Sequence, residues 1–255
     1  MALIIIFILV FLPMLVVVVI RMEGEKPGVN LELPSKFIGL EKWLEINIED
    51  HKSGLKRFWI AVLQDGKETT LLEKQFPAAG ILHKGSTISE SIRIKIEPQN
   101  IGLKDGTAML RMMAVDYSWK SFGKGNRSYS EMEIVIDTEA PIARALTRSH
   151  NISPGGGNAV VYALSEPCDI SGVQVADHFY PGYPNLEGKD ETRIAFFALD
   201  NQQGSGTDIS LMAEDRAGNQ TKTAFPHYIK SKKFKKDTIR ISDQFILEKL
   251  PEFKK

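Results

Sequence analysis

The chain has 255 residues, 32 basic and 32 acidic side chains, and one cysteine, Cys168. That length suits two domains of ordinary size, each able to bury its own core. The balanced charge excludes a molecule-wide attraction to nucleic acid or to anionic substrates, and the lone cysteine excludes an internal disulfide framework, so Cys168 is read as a small buried hydrophobe.

Residues Met1 to Ile20 carry no charged side chain and, Pro13 apart, are aliphatic, Phe or Met. As a helix, such a run matches a hydrocarbon layer of about 30 Å. No small-x-small cleavage site follows it and it exceeds a signal-peptide core, so residues 1–22 are expected to be an uncleaved transmembrane signal anchor. Flanking charge sets its direction poorly, because Arg21 and Lys26 are mixed with Glu23 and Glu25.

Residues 28–138 read as a first β-sandwich. Trp43-Leu-Glu-Ile-Asn-Ile-Glu-Asp50 alternates, placing Leu44, Ile46 and Ile48 on one face. Arg57-Phe-Trp-Ile-Ala-Val-Leu63 is a more uniformly apolar strand, and Gln64-Asp-Gly-Lys67 has the Asp-Gly pair of a tight hairpin. Ser86 to Glu97 alternates through Ile88, Ile92, Ile94 and Ile96, and Ala108, Leu110, Met112 and Ala114 again share a face. Roughly seven short strands without an amphipathic helix predict an antiparallel, immunoglobulin-like sandwich. Trp43 and Trp59 are expected in its core. Trp119, in the loop before Gly123, is the aromatic here expected to meet a partner.

Glu133-Ile-Val-Ile-Asp-Thr-Glu-Ala-Pro141 ends this unit and begins the next, since Pro141 has no N–H to continue a ladder. Residues 139–229 read as a second sandwich: strands over Ala159 to Ser165, Ile170 to Ala176, Arg193 to Leu199, Asp208 to Asp215 and Gln220 to Tyr228, with a glycine-rich loop at Asn151 to Asn158. His178-Phe-Tyr-Pro-Gly-Tyr-Pro184 reads as an aromatic loop, and Phe179, Tyr180 and Tyr183 are candidate partner contacts. The two halves share a pattern. Ala114-Val-Asp-Tyr-Ser-Trp-Lys-Ser-Phe-Gly-Lys-Gly-Asn126 and Ala213-Glu-Asp-Arg-Ala-Gly-Asn219 each give a strand end, an Asp-led turn, Gly-Asn and a return. The second invites a calcium reading, but one carboxylate and one amide fall short of the six to eight oxygens calcium takes, so a structural turn is expected.

Residues 230–255 read as a basic linker and a short helix. Lys232, Lys233, Lys235 and Lys236 are candidate contacts for phospholipid heads or a wall polyanion. Ser242 is placed to cap a helix from Asp243 to Leu250, stopped by Pro251.

The uncharged leader, Ala213-Glu-Asp-Arg-Ala-Gly-Asn219, and Phe234-Lys-Lys-Asp-Thr-Ile-Arg-Ile-Ser-Asp-Gln-Phe-Ile-Leu-Glu-Lys-Leu-Pro-Glu-Phe253 together resemble the N-terminal, non-catalytic region of bacterial envelope zinc metallopeptidases of the lysostaphin or LytM type. The resemblance implies an inner-membrane anchor with a single pass, a body in the periplasm, and a role beside a peptidoglycan endopeptidase. The metal motif of that family, His-x-x-x-Asp with His-x-His, has no counterpart around His51, His83, His150, His178 or His227. No catalytic residue, metal or other cofactor is therefore expected, and the chain is read as no enzyme. Glycine-rich phosphate loops, nucleophile elbows and dinucleotide fingerprints are also missing. Expected partners are the membrane, and peptidoglycan or a peptidase domain, without nucleic acid. The alternative is a stand-alone envelope adhesion or ligand-binding protein that uses Trp119 and the Phe179 to Pro184 segment.

Overall fold

Alternation of apolar and polar residues becomes strands almost wherever it occurs in this chain. The structure, a computed structural model, describes residues 2–80, 85–184 and 191–249, and the side chains of residues 2–8 lie outside the description. Helix α1 (Ala2–Arg21) comes first and contains Pro13. Among the described residues no helix is long and apolar enough to cross a membrane. The transmembrane helix expected over residues 1–22 thus rests on its sequence, because the described side chains begin only at Leu9.

Contacts divide the chain into two units. The first comprises Met1–Ile142, Leu164–Ile170 and Ala213–Thr221, and the second Ala143–Ala163, Ser171–Met212 and Lys222–Lys255. The boundary thus falls four residues beyond the expected Thr138, and two short segments from the C-terminal half join the first unit.

The first unit contains β1 (Gly28–Glu32), β2 (Phe37–Ile38), β3 (Lys42–Glu49), β4 (Leu55–Gln64), β5 (Lys67–Gln75), β6 (Ser89–Ile96), β7 (Gly106–Asp116) and β8 (Arg127–Ile136), with a short helix α2 (Lys120–Gly123) between the last two. They form a three-stranded sheet, β1-β3-β6, and a five-stranded sheet, β2-β8-β7-β4-β5. Register explains the core. Phe58, Ile60 and Val62 of β4 stand opposite Ala114, Met112 and Leu110 of β7, and Leu44 and Ile46 of β3 stand opposite Ile94 and Ile92 of β6. Side chains from both sheets join one buried cluster, so the two-layer sandwich is as expected. At the β4–β5 turn Asp65 and Gly66 both take positive φ, 52° and 77°, as the twist of a two-residue hairpin requires.

Two aromatic expectations need correction. Trp43 is 46% exposed, and the Arg93 guanidinium lies 4.5 Å from its ring centre. Trp59 is half-buried, with its indole N–H directed at Thr70 Oγ1. Strand alternation puts Trp43 on the face opposite Leu44 and Ile46, and a stacked cation covers the ring where a core does not. Cys168 likewise is half-buried rather than buried.

The C-terminal half carries β9 (Ala143–Ala145), β10 (Asn151–Ile152), β11 (Gly157–Leu164), β12 (Cys168–Val175), β13 (His178–Pro184), β14 (Thr192–Ala198), β15 (Ile209–Asp215), β16 (Gln220–Ala224) and β17 (Tyr228–Ile229). Instead of two comparable sheets, it shows one seven-stranded sheet, β16-β15-β12-β13-β14-β11-β9, and a parallel pair, β10-β17. The aromatic segment read as a loop is a strand. Val175 pairs with His178 and Gly172 with Pro181. Prolines mark breaks in most strands, but here glycines make the space: a Cβ on Gly172 would lie 2.1 Å from the Tyr180 carbonyl oxygen, and one on Gly182 1.8 Å from the Tyr162 hydroxyl.

The basic segment after β17 is exposed and forms no element before helix α3 (Asp243–Lys249). Ser242 Oγ accepts the Phe245 N–H at 3.3 Å, the expected cap. Leu250 and Pro251 lie outside the described residues.

Candidate functional site

The repeated Asp-led turn is where the fold concentrates its buried polar groups. Asp116 closes β7 and is fully buried. Its Oδ1 accepts the N–H groups of Ser118 at 2.9 Å and Asn126 at 2.7 Å, while its Oδ2 accepts the Asn126 side-chain amide at 2.8 Å. The same amide faces the carbonyl oxygen and Oε1 of Glu23, at 3.2 and 3.0 Å. Ser118 Oγ lies 3.2 Å from the Arg21 carbonyl oxygen and 2.9 Å from that of Glu23. The chain leaving α1 is thereby gripped by the end of the first sandwich. Asp50 adds a third carboxylate, its Oδ1 accepting the N–H groups of Lys52, Ser53 and Gly54.

The second turn repeats the chemistry. Asp215 closes β15, and its Oδ1 accepts the N–H groups of Ala217 at 2.7 Å and Asn219 at 2.9 Å. Its Oδ2 accepts the Asn219 amide at 2.8 Å. That amide also faces the carbonyl oxygens of Asp137 at 2.7 Å and Glu139 at 3.2 Å, and Asn219 Oδ1 accepts the Leu40 N–H at 3.3 Å. Every one of these residues belongs to the first unit. In both turns, then, one buried Asp holds a loop closed while the partner Asn reaches over to backbone carbonyls of an entering segment.

Each turn also gathers carboxylates. Glu23, Asp50 and Asp116 bring an oxygen apiece within 4.8 Å of one another, and so do Asp137, Glu166 and Asp215. The calcium reading set aside for Asp215 to Asn219 counted one carboxylate; the fold supplies two more, from a linker and from the β11–β12 loop. In the first group most oxygens already accept N–H or O–H donors. The second has fewer donors, and two of its acids are held up: burial first and then the Asp215 charge raise Asp137, and burial followed by the charges of Asp137 and Asp215 raises Glu166. Asp116 is raised by burial, against the pull of its Asn126 and Ser118 hydrogen bonds. Either trio can offer a divalent cation three oxygens, half of what calcium takes, with the balance left to carbonyls and water. Neither contains a histidine, so both offer the all-oxygen donor set of a hard cation rather than the nitrogen ligands zinc favours.

A prediction follows from the raised acids. A carboxyl whose folded pKa lies above its unfolded value favours the fold while protonated, and that contribution is lost as pH rises through the folded pKa. Replacing Asp137 with Asn and Glu166 with Gln should therefore raise stability at neutral pH by up to about 1 kcal/mol, partial exposure limiting the gain, with the advantage shrinking toward pH 4. Urea denaturation at the two pH values checks it.

The histidines are dispersed. His150 is buried with its ring nitrogens on Thr147 Oγ1 and the Pro226 carbonyl, both at 2.8 Å. His51 faces Glu49, His227 faces the Phe225 carbonyl, His178 is exposed, and His83 lies outside the described residues. Of the expected contact residues, Phe179 and Tyr183 are exposed, at 38% and 55%. Tyr180 is turned to the other face of β13, opposite Val173, and its hydroxyl donates to the Ala198 carbonyl at 3.0 Å. Phe196, 61% exposed on β14, is an addition; its signal was the alternation that puts it opposite in sense to buried Phe197. Trp119 is half-buried beneath the Arg21 guanidinium, 5.5 Å from its ring centre. Lys232, Lys233, Lys235 and Lys236 are all exposed, with Lys232 over Phe234 at 4.8 Å and Lys235 beside Asp237 at 3.6 Å.

No family model matches the chain, and no curated protein does. Among solved structures it is similar to SGBP-B of the Bacteroides ovatus mixed-linkage glucan utilization locus, in complex with a mixed-linkage heptasaccharide, at 14% identity and a TM-score of 0.25, covering 78% of this chain and 46% of that one. It is also similar to dimeric latent PorU from Porphyromonas gingivalis, at 10% identity and a TM-score of 0.31, covering 84% of this chain and 21% of that one. The chain thus spans less than half the length of either structure.

Proposed function

We propose that the chain is a membrane-anchored, non-catalytic spacer and regulatory region of a bacterial wall metallopeptidase, built from an immunoglobulin-like sandwich and a second β body dominated by one large sheet, and placed in the periplasm. The observation that carries the reading is the grip made twice by Asp and Asn: Asn126 on Glu23, and Asn219 on Asp137 and Glu139. A chain that fastens its entering segments with buried hydrogen bonds is organised to hold a set geometry rather than to turn over a substrate. The uncharged run from Ala2 to Ile20 supports the anchor, and the resemblance of residues 193–253 to the region before a peptidoglycan endopeptidase supports the partner. In this role the sandwiches set how far a catalytic domain stands from the bilayer.

The test takes the full chain. It is expected to stay in the membrane pellet through an alkaline carbonate wash, to lose that behaviour when residues 2–20 are deleted, and to release no muropeptides from purified sacculi. Release of muropeptides, or a wash that extracts the intact chain, overturns the reading. One surface favours the second reading, a stand-alone ligand-binding envelope protein: Phe179, Tyr183 and Phe196 project from adjoining strands β13 and β14. Under it, Tyr183→Ala and Phe196→Ala would abolish retention on sacculi while leaving the fold intact.

A further inference from the structure

The end of the first unit that receives α1 has a feature the spacer role does not use. We propose that the segment from Trp119 to Arg127 docks on an anionic lipid surface, with Phe122 entering the boundary between headgroups and acyl chains and Lys26, Lys120, Lys124 and Arg127 meeting lipid phosphates. This rests on the reading of α1 as a membrane span.

Three observations carry it. The first is position. The Trp119 N–H donates to the carbonyl oxygen of Arg21, the last residue of α1, at 2.8 Å, and the Arg21 side chain covers the Trp119 ring. The segment is therefore fastened at the point where the chain would leave a bilayer, the depth at which tryptophan is enriched in membrane proteins.

The second is backbone strain in a turn that closes its own hydrogen bonds, the Gly123 N–H on the Trp119 carbonyl at 3.1 Å and the Gly125 N–H on the Lys120 carbonyl at 3.2 Å, yet leaves its aromatic ring in water. Ser121 and Phe122 are consecutive non-glycine residues in the left-handed region, with φ of 54° and 58°. Such a pair is disfavoured for residues with a side chain, and its effect here is to hold Phe122 fully in solvent, at 106% exposure. Lys56 Nζ donates to the Gly123 carbonyl at 3.1 Å and so props the turn in this shape. An aromatic ring held away from every neighbour loses its burial energy in water and regains it in a bilayer interface.

The third is charge. Lys26, Lys120, Lys124 and Arg127, with Ser121, Gly125 and Asn126, line a recess of about 520 Å³ that no acidic residue lines. Among the described residues none of the four cations sits in an ion pair. Of the acids next to them in sequence, Glu25 pairs with Lys52 at 2.6 Å, and Glu23 accepts from Ser53 and from Asn126 of the recess wall; Lys26 alone of the four also borders a neighbouring recess lined by Glu25, Glu49 and Asp50. Lys120, Lys124 and Arg127 on either side of exposed Phe122 in the chain, with Lys26 in the same recess as these cations, complement a surface that is anionic at its face and apolar beneath, which is a lipid leaflet; a water-soluble polyanion would leave Phe122 in water.

The experiment uses the full chain reconstituted into vesicles of phosphatidylcholine alone or of three parts phosphatidylcholine to one of phosphatidylglycerol. An environment-sensitive fluorophore is attached at Phe122→Cys in a Cys168→Ser background, and in a second sample at Val16→Cys within α1. The expected result is blue-shifted emission shielded from aqueous iodide at both positions in the anionic vesicles. Shielding at residue 122 should be much weaker in phosphatidylcholine alone and should fall about fivefold for each of Lys26, Lys120, Lys124 and Arg127 changed to Gln. Water-like emission at 122 with lipid-like emission at 16 overturns the docking and leaves the anchor standing. Water-like emission at both overturns the anchor and the docking together. Circular dichroism of each variant verifies that the β fold is kept.

Discussion

Changing Asn219 to Asp is expected to destabilise the first unit by about 4 kcal/mol at neutral pH, more than the change to Ala. Asn219 is 3% exposed, and its Nδ2 faces three oxygens, those of the Asp215 carboxylate and of the Asp137 and Glu139 backbone. That trio of acceptors fixes which end of the amide is which, and the Leu40 N–H on Oδ1 agrees. Alanine removes four hydrogen bonds, three donated by Nδ2 and the longer one that Oδ1 accepts from Leu40, together worth about 3 kcal/mol, and strands buried acceptors. Aspartate keeps the shape but turns the donor into a fourth acceptor beside an existing carboxylate, and breaking such a buried arrangement costs about 3–5 kcal/mol. The introduced carboxyl has its folded pKa raised by those neighbours, so its deficit is small below the unfolded value of about 3.9 and grows as pH rises through the folded one. Urea denaturation at pH 4 and pH 7 separates the two variants. An Asp variant as stable as the parent at pH 7 would mean that Asn219 does not donate here.

The second large effect is expected at Gly125. Its φ is +82°, and a Cβ there would lie 2.3 Å from the Asp116 carbonyl oxygen and 2.8 Å from Asp116 Oδ1. Neither atom has room to retreat, because one belongs to backbone and the other accepts the Ser118 and Asn126 N–H groups. Gly125→Ala should therefore cost about 3 kcal/mol or more, strain and overpacking adding together. Gly123 provides the comparison. It has a similar φ of +80° and nothing within 4 Å of its would-be Cβ, so Gly123→Ala carries only the left-handed penalty of about 1 kcal/mol. The difference between the two midpoints of thermal unfolding isolates the contact with Asp116. Equal losses would show that the turn relaxes around the methyl group.

Much of the strand structure was legible because burial on one face leaves a period of two in the sequence, as in Leu44, Ile46 and Ile48. The twin turns were legible too, since Asp and Gly-Asn recur at the end of each half. What lay beyond reading was what the turns bring together. Glu23, Asp50 and Glu166 come from a linker and two loops whose spacing to Asp116 or Asp215 has no period, so nothing in the sequence joins them. Trp43 shows two signals in conflict: tryptophan in general enters cores, but the alternation of its own strand turns it outward, and the alternation prevails. The prolines of β13 hid a strand because the glycine opposite Pro181 in register, Gly172, which lets the Tyr180 backbone approach, sits on another strand. The count of sheets in the C-terminal half was equally hidden, since turn signals give the number of strands but not how they are shared out.

The outer strand of the five-stranded sheet bears on life at high copy number. Among the described residues strand β5 pairs on one side only, with β4, and its sequence, Lys67-Glu-Thr-Thr-Leu-Leu-Glu-Lys-Gln75, places charges at both ends. Glu73 pairs with Arg57 at 2.9 Å and Lys74 with Glu90. An open edge is a template for annealing to another molecule, and charged side chains along it oppose that. Copies of the protein that meet edge to edge therefore face matched charges rather than a bare row of backbone donors and acceptors, so this rim resists cross-β stacking even where molecules collide often.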